Sequence, residues 1–137
     1  MTSSARLLDT DILSMIMRRH PVALAHAQNY IAEHQQFVFS VITRYEVLRG
    51  LKAKNAQVQL AAFERFCAVN QILPLTDDIV TCAAEIYAEL YQRGALIGDA
   101  DILIAASALA HGMSLVTNNE EHFKRINGLH VENWLKP

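Results

Sequence analysis

The segment Leu7-Leu8-Asp9-Thr10-Asp11-Ile12-Leu13 reads as a short strand that ends on an acid and turns at once into a helix. Arg6-Leu7-Leu8 is a run of strand length, and Ile12, Leu13 and Ile16 then recur at helical spacing. An acid at that junction has a structural role: an Asp at a helix N-cap accepts backbone N–H bonds and faces the positive helix end, worth about 1 kcal/mol. Two acids in three residues exceed that need. Asp9 is therefore read as a functional carboxylate and Asp11 as the one that serves the helix terminus.

Strand-length runs recur at Phe37-Val38-Phe39, Ile72-Leu73-Pro74-Leu75, Leu115-Val116 and Leu129-His130-Val131, with helical patterns between them. The clearest helix starts at Thr76 as N-cap, carries Asp77-Asp78 in its first turn, and repeats Ile79, Cys82, Ala83, Ile86, Tyr87 and Leu90 on one face before Gly94 ends it. Others are expected near 11–18, 22–34, 43–52, 56–69, 99–111 and 119–125. Strands alternating with helices predict the α/β class: a three-layer α/β/α sandwich around a mostly parallel five-stranded sheet, built by a single domain over 1–137. In such sheets ligands bind in the crevice outside the carboxyl ends of the strands.

With 137 residues, 52% hydrophobic and 19% charged, the chain can bury roughly two-thirds of its unfolded surface in one core. Its longest apolar stretches, such as 102–110, are about half of the ~20 residues a membrane span requires. Polar Thr2-Ser3-Ser4 and Arg6 lack the shape of a signal peptide, so a cytoplasmic protein without a membrane partner is expected. Cys67 and Cys82 stand alone in helical patterns and read as reduced core thiols. The six histidines form no pair at metal-ligand spacing, which argues against zinc. A net charge of −2 lacks the basic excess of a nucleic-acid binder, so any RNA contact must be local. Arg44, Arg49, Lys52 and Lys54 surround Glu46, Arg18-Arg19 follow the first helix, and a solvated helix face explains these cations equally well.

The remaining acids repeat the pattern of Asp9. Glu46 lies just beyond the second strand, where Thr43-Arg44-Tyr45-Glu46 also fits a capping box with Thr43 as cap. Gly98-Asp99-Ala100-Asp101 opens the alanine-rich helix; with Asp99 as N-cap, Asp101 stands at the second helical position, about 200° around. Asp101 is then the inner ligand and Asp99 a cap or outer-shell acid. Asn119 follows the fourth strand and either orients a metal-bound water or caps the next helix, with Glu120 beside it. Carboxylates gathered at strand ends raise one another's pKa unless a cation neutralises them. Oxygen-only donors suit magnesium, or manganese in its place.

Leu7-Leu8-Asp9-Thr10-Asp11, Ser40-Val41-Ile42-Thr43-Arg44-Tyr45-Glu46-Val47-Leu48-Arg49-Gly50, Gly98-Asp99-Ala100-Asp101-Ile102-Leu103-Ile104-Ala105-Ala106 and Leu115-Val116-Thr117-Asn118-Asn119 resemble, in that order, the PIN-domain ribonucleases, specifically VapC-like toxins. The ending Gly128-Leu129-His130-Val131-Glu132-Asn133-Trp134 is similar to theirs as well. The resemblance implies a PIN-like fold and a catalytic set of Asp9, Glu46, Asp101 and Asn119. It implies metal ligation by Asp9, Asp101 and Glu46, with Asp99 or Glu120 compensating where many relatives carry Asp in place of Asn119. It further implies Mg²⁺-dependent cleavage of transfer or ribosomal RNA, neutralisation by a small VapB-like antitoxin, and a homodimer or a toxin–antitoxin hetero-oligomer. Met15, Met17 and Leu51 fit either a partner groove or core packing. Tyr45, between Arg44 and Arg49, either contacts RNA or packs on Leu48.

Two other readings compete. Asp9-Thr10-Asp11 and Gly98-Asp99 resemble motifs of haloacid-dehalogenase-like phosphatases, in which Asp9 would be a nucleophile. Against that, Leu13 stands where that family prefers Thr or Val, and only Ala95-Leu96-Ile97 precede Gly98. Alternatively the acids only cap helices, and the chain is a non-catalytic binding module.

Overall fold

The computed structural model describes residues 5–137, so the Thr2-Ser3-Ser4 lead lies outside the described residues. In chain order the elements are β1 (Arg6–Leu8), α1 (Thr10–Met17), α2 (Pro21–His34), β2 (Val38–Ser40), α3 (Val41–Ala53), α4 (Gln57–Ala68), β3 (Gln71–Leu73), α5 (Asp77–Gln92), α6 (Asp99–Ala110), β4 (Ser114–Val116), α7 (Glu120–Phe123) and β5 (Val131–Glu132). The strands form one sheet in the order β3-β2-β1-β4-β5. Every pairing is parallel, so the sheet is wholly rather than mostly parallel. Each crossover carries at least one helix, which leaves no hairpin to bring in an antiparallel strand.

Strand alternation separates two cores. Leu7, Val38 and Leu115 face one side, where they pack with Leu73 and with Ile79, Ile86 and Leu90 of α5 and Ile102, Ile104 and Ala105 of α6. Leu8, Phe39 and Val116 face the other, against Ile12, Leu13 and Ile16 of α1, Ala23, Ala27 and Tyr30 of α2, Phe63 of α4 and the single tryptophan, Trp134. These are the three layers expected from the alternation of elements. α6 is buried from Ile104 through Ala108 without a polar stripe, as befits a helix enclosed on all sides.

Helix starts explain where the sequence reading slipped. α3 begins at Val41 because Ser40 Oγ accepts the N–H of Ile42 at 3.0 Å, so Thr43 lies inside the helix and is no capping-box residue. The N-cap of α6 is Gly98, which moves Asp99 to the first helical position and Asp101 to the third. Thr76 caps α5 as expected, its Oγ1 accepting from Ile79 N, and Gly94 follows in the left-handed region at φ 66°. Cys82 packs against the α5 side of the sheet and Cys67 against the α4 side, both free thiols.

Candidate active site

β1 and β4 are neighbours at the centre of the sheet, and their carboxyl ends are locked together: Asp9 N donates to Val116 O at 2.8 Å. Asp9 is 6% exposed. Its Oδ1 accepts the N–H of Thr10 at 2.8 Å, which makes it the N-cap of α1, and its Oδ2 accepts from Thr117 Oγ1 at 2.7 Å. Asp9 thus caps α1 from within an acidic cluster. Burial, then the neighbouring Asp11 charge, push its carboxyl up to about 7, against the pull of the Thr117 and Thr10 hydrogen bonds.

Asp11 is the residue that sequence reasoning undervalued. Because Asp9 already caps α1, Asp11 is free to turn toward the cluster. One oxygen accepts from Asn118 N at 3.1 Å, and the other, Oδ1, is buried with no hydrogen-bond partner. Burial also raises this carboxyl above its ordinary range, with a further contribution from Asp101. A clue was available in the sequence: one N-cap needs one acid, and Asp9 stands at the strand end where the cap must form.

Asp101 comes from α6 and is half-buried. Desolvation and then the Glu46 charge raise its carboxyl, while His122, whose Nδ1 lies 3.8 Å from Asp101 Oδ2, lowers it. Glu46 arrives from α3: its Oε1 accepts from Thr10 Oγ1 at 2.6 Å, and its Oε2 lies 3.7 Å from Arg49. Thr43, fully buried, completes that contact through its Oγ1, 3.0 Å from Thr10 Oγ1. Three threonines, Thr10, Thr43 and Thr117, therefore hold the acids, and composition gave no hint of them.

Asn119 does not cap α7 with its side chain. Its amide is hydrogen-bonded to His122 Nδ1 at 2.9 Å, so it acts on the cluster by orienting the imidazole beside Asp101. Asp99 does not join the other acids: it is exposed on the opposite side of α6, where it lines a hollow with Tyr87 and Leu103. Glu120 is also turned away, held by Asn133 Nδ2 at 3.0 Å and Lys136 Nζ at 2.6 Å. Tyr45 stands 57% exposed, with the Arg49 guanidinium 5.2 Å from its ring centroid.

The cluster fits a hard divalent cation. Mutually raised carboxyls and an orphaned buried oxygen on Asp11 are what such a cation relieves, and Asp9, Asp11, Asp101 and Glu46 are the oxygen donors that would hold it. Among the described residues no three acids, histidines or cysteines stand so that they could hold a metal ion by themselves. Magnesium commonly takes one or two carboxylates and completes its shell with water and phosphate oxygens.

The family profile described as the PIN domain matches residues 6–129. This chain belongs to the PIN-domain family. Ribonuclease VapC2 of Rickettsia felis is 32% identical over 95% of this chain and 98% of its own length. The tRNA(fMet)-specific endonuclease VapC of Shigella flexneri is 30% identical over 93% of this chain and 96% of its own. Among solved structures, VapBC2 of Rickettsia felis bound to a DNA fragment from its promoter superposes with a TM-score of 0.85 at 30% identity, covering 96% of this chain and 99% of that one. PIN-domain membership sets aside the phosphatase reading, and no strand precedes Gly98 as that reading would require.

Proposed function

We propose that this PIN-domain chain is an endoribonuclease, the toxin of a toxin–antitoxin pair, that hydrolyses RNA phosphodiester bonds with Mg²⁺ or Mn²⁺ and is neutralised by a VapB-like antitoxin. The observation that carries the chemistry is that Asp9 and Asp11 at the start of α1, Asp101 in α6 and Glu46 in α3 lie near enough at the strand ends for their charges to act on one another. The toxin role is supported by full-length similarity to VapC ribonucleases and to a toxin solved with its VapB partner. The transfer-RNA specificity in the name of one relative supports transfer RNA as the substrate, with ribosomal RNA the other structured RNA expected. RNA is a cytoplasmic target, and among the described residues no helix is long and apolar enough to cross a membrane.

A cation bound by the acids supplies positive charge to the scissile phosphate and lowers the pKa of an attacking water. The residues do the rest. Asp9 and Asp101 are the principal ligands, fixed by the Thr117 hydrogen bond and by burial of α6. Glu46, tethered by Thr10, lines the groove that leads away from the acids. Asn119 keeps His122 beside Asp101. Exposed Tyr45, backed by Arg49, offers a stacking face for an unpaired base. Incubation of RNA with magnesium or manganese should give cleavage that a chelator abolishes and that Asp101→Asn lacks. Equal cutting in all arms would overturn the proposal.

A further inference from the structure

One groove begins at Glu46, the acid that α3 contributes. It has a volume of about 370 Å³ and is walled by Thr10, Ser14, Met17 and Arg18 of α1 and its C-cap, and by Glu46, Val47, Gly50, Leu51 and Lys54 of α3 and its C-cap. Thr10, Ser14 and Arg18 recur every four residues, as do Glu46, Gly50 and Lys54, so each wall is one helical stripe. The stripes meet at one end, where Thr10 Oγ1 donates to Glu46 Oε1. Eight residues at 1.5 Å rise place the other end about 12 Å away. At that far end stand Arg18 and Lys54, both exposed, and neither lies within ion-pair distance of a carboxylate among the described residues.

A cation at a helix C-terminus is ordinary dipole chemistry. That accounts for each residue separately and not for the two of them closing the same groove at its far end from the acids. Gly50 adds room: a Cβ there would meet nothing within 4 Å, so the wall is open at mid-length. The result is a channel with Glu46 at one end, Ser14, Gln59 and the apolar Met17, Val47 and Leu51 along it, and two cations at the other.

Building on the nuclease reading, we propose that this groove is the track of the single-stranded RNA flanking the scissile bond, with Arg18 and Lys54 binding a phosphate beyond the one being cut. A strand whose scissile phosphate lies over the acids must leave the site in some direction. This groove starts at Glu46, and its far end carries the charge that a phosphate requires. An acidic cluster repels a polyanion until a cation binds, so attraction has to be supplied nearby, and net charge −2 means that it is supplied locally.

The test compares wild type with Arg18→Ala/Lys54→Ala, using Arg65→Ala on the far side of α4 as a charge-loss control. The double variant should raise KM for RNA about tenfold with kcat within about twofold. The dependence of log(kcat/KM) on log salt should flatten by about 0.7, the value for one neutralised phosphate on a single strand. Binding of a labelled mixed-sequence single-stranded RNA, measured by anisotropy on Asp101→Asn protein so that the RNA stays intact, should weaken by the same factor. That readout does not need cleavage, so it separates failure of the track from failure of the nuclease reading. Unchanged RNA affinity and salt slope would overturn the proposal. So would an unchanged KM with weakened antitoxin binding, which would make the groove a protein-docking surface instead.

Discussion

Replacing Asp9 by Asn should destroy the activity and stabilise the metal-free protein. Keeping a carboxyl ionised when burial has raised it from 3.8 to about 7 costs about 4 kcal/mol above neutrality. Because Asp9 shares its surroundings with Asp11, about 2–4 kcal/mol is the recoverable range. Asn retains both contacts, since its Oδ1 accepts from Thr10 N and its Nδ2 donates to Thr117 Oγ1. Between about pH 4 and pH 7 the folded wild type holds a proton that the unfolded chain has released. Wild-type stability therefore falls as pH rises through that window and levels off above it. At pH 8 in chelator, Asp9→Asn should melt about 6–12 °C higher than wild type, taking roughly 3 °C per kcal/mol at this chain length. Near pH 4 the gap should close, and at pH 8 magnesium should narrow it by stabilising only the wild type. A variant that melts at or below wild type at pH 8, or a gap that does not change with pH, would refute the reasoning.

Thr117→Val should leave Asp9 Oδ2 buried without its donor, costing about 1–3 kcal/mol in urea unfolding and moving magnesium uptake to higher pH, because a contact that lowers the Asp9 carboxyl is gone. In titration calorimetry Asp11→Asn should weaken magnesium or manganese binding about tenfold, whereas Asp99→Asn, on the other side of α6, should leave it unchanged. Cleaved RNA should carry 5′-phosphate and 3′-hydroxyl ends, and a 2′-deoxy substitution at the cleavage site should not abolish cutting. Cyclic phosphate ends would point to attack by the 2′-hydroxyl.

The periodicity of the chain carried the architecture. Leu7 and Leu8, adjacent in sequence, really do face opposite layers, and the strand–acid–helix junction at Asp9 marks the edge of the sheet where the acids gather. What local pattern could not resolve was which of two nearby polar residues takes the cap. Ser40 outcompeted Thr43, Gly98 outcompeted Asp99, and Asp9 relieved Asp11 of the duty. Asp99 stays about 200° around α6 from Asp101 whichever residue caps the helix, whereas Thr43, placed inside α3, reaches Thr10. The threonine tethers were invisible for a different reason. Thr10 meets Thr43 and Glu46 across more than thirty residues, and only the packing of α1 on α3 creates those contacts.

Burial of α6 has a kinetic side. A helix enclosed through Ile104, Ala105, Ala106, Ser107 and Ala108 should be among the last segments to exchange its amide hydrogens, opening only when the whole protein does. Asp101, in the first turn of that helix, is thus anchored to the most persistent part of the molecule, whereas Glu46 hangs from a partly exposed helix by a hydroxyl tether. On the proposed nuclease reading, accommodation of a bulky nucleic acid would fall to the α3 wall, and the α6 carboxylate would be the fixed reference point against which the substrate is aligned.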